Sequence, residues 1–283
     1  MSRERIEVFL IKVFKVIGIV FFAFISIFPF YWMLVLSIRP LQNLLTDPSR
    51  LVPTVEEIGS LEPYRGVWVE QGFGQFIANS TVVSFATVTL TLIFAILGAY
   101  AVARLSFRGR NLMSSGVLLI YMFPAIVLAI PLYVVFSRLG LRNSLPGLML
   151  VYLAQTLPVA LYMLRSYFLT IPRDLEEAGL IDGCSRLEVI RRITLPLAVP
   201  ALASVGLYTF MIAWNEILFA LLFLLEARDL WTLSLGVRQL DTFEVPKTWL
   251  MAGSVIITVP IIVIFFFFER FLTGGLTAGA VKG

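Results

Sequence analysis

The chain has 283 residues, 59% of them hydrophobic and only 14% charged, with a mean hydropathy of +0.93; soluble domains carry about 25% charged residues, which argues against a water-soluble fold. There is no His and a single Cys, Cys184, so imidazole metal sites, His proton shuttles and an intramolecular disulfide are all excluded. The formal charge of +4 arises from 22 basic residues dispersed among long apolar runs, so membrane lipid is the expected partner and nucleic acid is not.

Six uncharged runs follow in chain order, at residues 16–38, 71–103, 111–137, 143–164, 193–215 and 248–268, and each is at least 21 residues long. A hydrocarbon core of about 30 Å needs about 20 apolar residues to cross it. In lipid such a segment must satisfy its own backbone, which makes it a helix. The expected architecture is an all-α polytopic membrane protein: one domain over residues 1–283, with six transmembrane helices near 11–36, 79–103, 113–136, 146–168, 199–223 and 250–271. The first run starts with basic residues like a signal peptide, but it is too long and lacks a small-x-small cleavage site, so it is expected to remain as an anchor. The fifth helix is expected to run on through Glu216, placing that acid inside the membrane. Fourteen of the 22 Lys and Arg residues fall on the side shared by both termini, which is therefore expected to be cytoplasmic. Prolines at 124, 131, 146, 158, 196, 200 and 260 punctuate the runs; they suit a bundle that lines a pathway, and they are equally the prolines that membrane helices tolerate.

Residues 171–196, between the fourth and fifth runs, have the grammar of two short helices joined by a glycine hinge. Pro172 suits a first turn, Asp174, Glu176 and Glu177 complement the positive end of a helix, and Asp182-Gly183 signals a turn. Ser185 and Glu188 form an S-x-x-E capping box for the second helix. Leu175, Ala178, Gly179 and Asp182 fall on one face that is small at its middle, where another protein could approach closely. The competing reading is an amphipathic connector lying in the lipid interface on Ile190, Arg191, Arg192 and Ile193.

A carboxylate at membrane depth costs about 2.5–3.5 kcal/mol, so Glu216 should face a cavity or a partner. Asn215 adds hydrogen-bonding groups, and Trp214, Tyr208 and Phe210 offer ring faces of the kind on which sugars pack. Asn215 and Glu216 could instead staple the helix to a neighbour. The outer segments 39–75 and 226–248 are mixed in charge, containing Glu56, Glu57, Glu62, Glu226, Asp229 and Asp241 among others; they suit a soluble partner or simple solvated connections. Gly236 is expected at a tight tip there. No G-x-x-x-x-G-K-[ST] phosphate loop is present, nor the paired acids of a proton-coupled carrier.

Glu177-Ala178-Gly179, then Asp182-Gly183, then Ile193-x-Leu195-Pro196, resembles the E-A-A-x-x-D-G…I-x-L-P loop of bacterial ABC importer permeases. Gly179 and Cys184 depart from the usual alanines but remain small. Trp214-Asn215-Glu216 resembles the W-N-[DE] of the fifth helix in carbohydrate permeases, and residues 275–283 resemble the G-L-[TV]-x-G-[AS]-V-K-G terminus of maltose-permease type subunits. The resemblance implies a permease subunit in a bacterial inner membrane, forming half of a path for maltose, trehalose or a related oligosaccharide by alternating access. It implies a cytoplasmic coupling loop in which Glu177, Ala178, Gly179, Asp182, Gly183, Ile193, Leu195 and Pro196 dock on an ATPase. Trp214, Asn215 and Glu216 would line the substrate path, and Gly236, Gln239 and Asp241 would belong to a loop that meets the binding protein. The implied partners are a homologous second permease, two ATPase subunits and an extracytoplasmic sugar-binding protein. No catalytic residue, metal or cofactor is implied for this chain, since ATP and Mg would be bound by the ATPase. An ion-coupled secondary carrier and a non-transport membrane scaffold subunit are the alternatives, and co-purification with an ATPase discriminates them.

Overall fold

Apolar stretches that cannot pair their backbone with lipid must pair it internally, and among the described residues of the computed structural model every regular element is a helix. The described residues are 3–110, 112, 116, 117, 119 and 123–277, with the backbone alone described for 3–6, 8 and 272–277. They fall into two units, Met1–Gly72 with Val237–Thr258 and Phe73–Gly236 with Val259–Gly283.

In the first unit, α1 (Arg3–Ile38) exposes its apolar side chains over most of the stretch from Phe9 to Phe30, as suits a helix surrounded by lipid. Three short helices follow: α2 (Leu41–Thr46), α3 (Val55–Ser60) and α4 (Glu62–Arg65), the last running into a π turn at Gly66–Glu70. Their centre is a buried ion pair. Arg39 Nε donates to Glu57 Oε1 at 3.3 Å, while its terminal nitrogens donate to the carbonyls of Arg50, Asn43 and Asp47 at 3.2, 2.9 and 2.8 Å. Glu57 also accepts from Asn43 Nδ2 at 3.0 Å and from the Thr54 N–H at 2.7 Å, closing a capping box on α3. The expectation of a solvated mixed-charge connector is corrected here: Glu57 is turned inward because three donors converge on it. Nearby, Gly66 lies against the indole of Trp249, which would meet any Cβ there, and Trp249 Nε1 donates to Glu62 at 3.2 Å.

In the second unit, α5 (Phe73–Arg104) packs against α7 (Leu145–Phe168) and α11 (Val199–Asn215). The buried residues of α5 include Ser80, Ser84, Thr87, Thr91, Ala95, Ala99 and Ala103, a stripe of small residues spaced by three or four. Small side chains allow helices to approach closely where lipid removes any hydrophobic drive between them. Thr91 and Thr156 hydrogen-bond across the seam at 2.8 Å. Between α5 and α7 in the sequence comes α6 (Ala125–Arg138), which begins directly after Pro124.

Four described helices are long and apolar enough to cross a membrane: Phe9–Ile38, Phe73–Arg104, Leu145–Phe168 and Lys247–Phe271. The first half of the expected third span, 113–136, falls largely outside the described residues. The expected continuous fifth helix, 199–223, starts at Val199 as expected and is corrected once, at its middle. Its first part meets the preceding segment Arg186–Leu197 at a bend of 83°, with Pro200 in its first turn lacking the N–H that would continue the ladder. It then breaks after Asn215 and resumes as α12 (Leu218–Leu224).

Removing one partner of a buried pair leaves the other charge without solvent. Glu57→Ala is therefore expected to cost about 3–5 kcal/mol, read as a lower melting temperature in detergent and faster proteolysis within residues 39–60. Burial pushes the Glu57 carboxyl up, but the Thr54 N–H, the Asn43 amide and the Arg39 guanidinium outweigh it and hold the group below its ordinary value of 4.5. A group with a lowered folded pKa gives stability that is complete above its unfolded value and lost as pH falls through the folded one. The wild-type segment should thus loosen only below pH 4.5, and Glu57→Ala should lack that acid step.

Candidate functional site

The inner loop is built from capped ends inward. Pro172 precedes α8 (Arg173–Ile181), whose first turn carries Asp174 and Glu176 at the positive end of the helix. The helix closes at Gly183, with φ 87°, and the Cys184 N–H returns to the Gly179 carbonyl at 3.0 Å. Such a backbone is open to glycine and strained for a residue with a Cβ, so the hinge geometry expected of Gly183 is present. Ser185 then caps α9 (Arg186–Val189) through the full reciprocal box with Glu188. A π turn at Ile190–Thr194 and α10 (Leu195–Leu197) complete the loop.

Two faces result. Leu175, Glu177, Ala178, Ile181, Asp182, Leu187 and Pro196 are exposed; Ile193 and Leu195 are half-buried. Gly179 departs from the expected grouping with Leu175, Ala178 and Asp182. It is turned inward, where a Cβ would lie 2.6 Å from Ile193 Cδ1, so its smallness serves the close approach of the loop's own second half. Glu176, expected only as a charge at the helix start, does more than the sequence indicates. It is buried, and accepts from Arg104 Nε at 3.0 Å on both oxygens, from the Tyr100 hydroxyl at 3.3 Å and from the Thr194 hydroxyl at 3.2 Å. Helical spacing from Gly179 would have found it, since Glu176 lies three residues before and shares its inward face.

Glu216 marks the break in the fifth helix. Its backbone is extended, with φ −64° and ψ 129°, and its carboxylate accepts the N–H of Phe219 on both oxygens at 2.9 and 3.0 Å and that of Ala220 at 3.1 Å. These are donors that the first turn of a helix leaves unpaired, so the acid caps α12. The Tyr152 hydroxyl adds a fourth bond at 2.8 Å, and Ser234 Oγ donates to the Glu216 carbonyl at 2.7 Å. Glu216 is therefore stapled to its own chain. Trp214 is buried and stacked on Phe210 at 5.3 Å between centroids; Asn215 is exposed, with Nδ2 on the Met211 carbonyl at 2.9 Å.

Gly236 is not at a tip. It lies within α13 (Leu233–Gln239), where a Cβ would sit 2.5 Å from Phe76 Cδ2. Asn79 and Ser80 hold the stretch before it through the Asp229 and Trp231 carbonyls and the Leu233 N–H. Gln239 ends the helix. Asp241 lies beyond and pairs with Lys247 Nζ at 2.7 Å, closing a loop whose Phe243 is fully exposed. Of the C-terminal motif, residues 278–283 lie outside the described residues.

Residues 92–277 match the family described as binding-protein-dependent transport system inner membrane component. The chain is 39% identical over 271 residues to the inner membrane ABC transporter permease protein YcjP of Escherichia coli K12, covering 94% of this chain and 95% of that protein. It is 38% identical over 277 residues to the trehalose/maltose transport system permease protein MalG of Thermococcus litoralis, covering 96% and 97%. Its fold is similar to that of a chain in the crystal structure of a bacterial ABC transporter involved in the import of the acidic polysaccharide alginate, with a TM-score of 0.80 at 24% identity over 95% of this chain and 98% of that one.

Glu216→Gln keeps the shape of the side chain but replaces one acceptor oxygen with an amide donor, so the converging N–H and O–H groups exceed the acceptors. The expected loss is about 1.5–3 kcal/mol, with Glu216→Leu at least as damaging, both measured by thermal unfolding in detergent. Wild-type stability in Glu216→Gln would show that the cap does not hold the break.

Proposed function

Because the chain belongs to the family of binding-protein-dependent transport system inner membrane components, we propose that it is the permease subunit of an ATP-driven sugar importer in a bacterial inner membrane. The sugar would be trehalose, maltose or a related oligosaccharide, following the relatives named for those sugars. The observation that carries this reading is the outer face of α8: a helix closed at Gly183 that presents Glu177, Ala178 and Asp182 beside exposed Leu175 and Ile181. A separate ATPase, present as two copies with ATP and Mg, would receive that face. Both termini would lie on the same, cytoplasmic side.

A second, homologous permease would complete the path. In this chain the path would run past the break in the fifth helix, with Asn215 offering the exposed polar side chain there. Buried Trp214 would back the wall, and Glu216 would hold the break open. On the other side of the membrane a sugar-binding protein would dock, and the loop between α13 and α14 (Lys247–Thr277) would meet it. Its exposed tip, Phe243, has the ring face to displace a sugar, whereas Gly236 is packed inside its helix. Such a loop assists release only if its contacts form in the docked, open state and not in the closed liganded one.

Reconstitution in lipid vesicles with the second permease, the ATPase and the binding protein tests the whole reading. ATP hydrolysis should rise when the binding protein carries its sugar, and a panel of maltose, trehalose and other glucosides identifies which. With Cys184 replaced by Ala, a Cys at Phe243 should cross-link to the binding protein in an ATP-trapped complex, and a Cys at Gly236 should not. Sugar-independent hydrolysis across the panel would defeat the importer assignment.

A further inference from the structure

The outer face of α8 can transmit force only through whatever fastens α8 to the spans. Its covalent connections are turns: residues 169–172 lead in from α7, and Gly183, with φ 87°, leads out. The apolar contact of Gly179 with Ile193 resists separation but not sliding. What pins the helix is Glu176. Through one carboxylate and one guanidinium, four segments meet: the end of α5 at Arg104 and Tyr100, the first turn of α8, the last residue of the π turn at Thr194, and the lead-in turn, where Arg104 Nη2 donates to the Ile171 carbonyl at 2.9 Å. Side chains of both charged partners are about nineteen-twentieths buried, at 5% and 6% exposure. A buried pair with its remaining lone pairs satisfied cannot part without stranding a charge, so it behaves as a stiff joint. A π turn, a geometry often found where function requires it, forms the stretch that ends at Thr194. Glu177, one residue along, faces outward and takes no part in the joint.

We propose that Glu176 and Arg104 are positioning residues that carry ATP-driven displacement of the inner loop into the second span, so that α8, the π turn and the inner end of α5 move as one body. This rests on the reading of α8 as the ATPase-docking element. Neighbouring glutamates divide the work: Glu177 belongs to the surface that is pushed, Glu176 to the link that passes the push on. The two roles predict different failures, since loss at Glu177 weakens docking and loss at Glu176 leaves docking intact but wastes hydrolysis.

The test uses the complete importer in vesicles, with spin labels at Cys residues replacing exposed Ile181 on α8 and exposed Ser106 just beyond α5, in a Cys184→Ala background. In the otherwise wild-type chain the distance between the labels should be the same in nucleotide-free and ATP-trapped states. In Glu176→Gln it should change between those states, with co-purifying ATPase retained and ATP consumed per sugar rising at least about fivefold. If Glu176→Gln does not assemble, Thr194→Val and Tyr100→Phe each remove one hydrogen bond to the carboxylate and keep the ion pair; they should raise the ATP cost roughly twofold. Unchanged label distance and unchanged coupling in the assembled variants overturn the joint. Loss of the ATPase from Glu176→Gln while the two milder variants stay fully coupled also overturns it, because the role would then lie in forming the docking surface. A wild-type chain that does not bind the ATPase defeats the docking assignment itself, an outcome distinct from bound ATPase with coupled variants.

Discussion

A polar group withdrawn from water must find its partner inside the protein, and this chain meets that demand three times with a glutamate at the start of a helix. Glu57 closes the capping box of α3 and neutralises Arg39. Glu176 lies in the first turn of α8 and neutralises Arg104. Glu216 caps α12 and takes its further bond from the neutral hydroxyl of Tyr152. The carboxylates of Glu57 and Glu216 accept N–H groups where their helices begin, while that of Glu176 turns to the side chains of Arg104, Tyr100 and Thr194. Each also ties its helix to a residue far along the chain, so an acid at a helix start becomes a tertiary fastening.

The span pattern was legible because it depends on a coarse quantity, the length of uncharged runs, and the four long helices sit on four of those runs. The ends of the inner loop were legible for a different reason: Ser185 with Glu188, and Asp182-Gly183, encode their geometry within a few residues. The break at Glu216 was not. A run of apolar residues on both sides of an acid reads as one helix interrupted by a charge, and the groups that stabilise a break, Tyr152 and Ser234, lie 64 residues before and 18 residues after it. Gly236 was misplaced for the same cause. A glycine in a segment of mixed charge between two spans suggests a tip, whereas its reason for being small is Phe76, 160 positions away in sequence and on another helix.

Adjacent residues with opposite fates show where pattern reading stops. Glu176 and Glu177 are the same residue type in the same turn, and motif likeness favours the second. Helix geometry separates them by about 100°, enough to bury one against Arg104 and leave the other exposed. Only the choice of which face is inward distinguishes them, and that choice is made by Gly179 packing on Ile193.

The small-residue stripe of α5 has a mechanical corollary. Along Ala95, Ala99 and Ala103 methyl groups repeat every four residues in the surface offered to Ala160, Leu161, Leu164 and their neighbours, with the larger Tyr100 among them. A face of equal teeth fits its mate almost as well after a shift of one helical turn, so packing by itself specifies closeness and leaves register weakly defined. Register is set by features that do not repeat: the Thr91 to Thr156 hydrogen bond in the middle, Asn79 on the Asp229 and Trp231 carbonyls at one end, and Arg104 on Glu176 at the other. The repeating methyls thus act as a rail and the three polar contacts as its pins, so closeness and register along this helix rest on different residues.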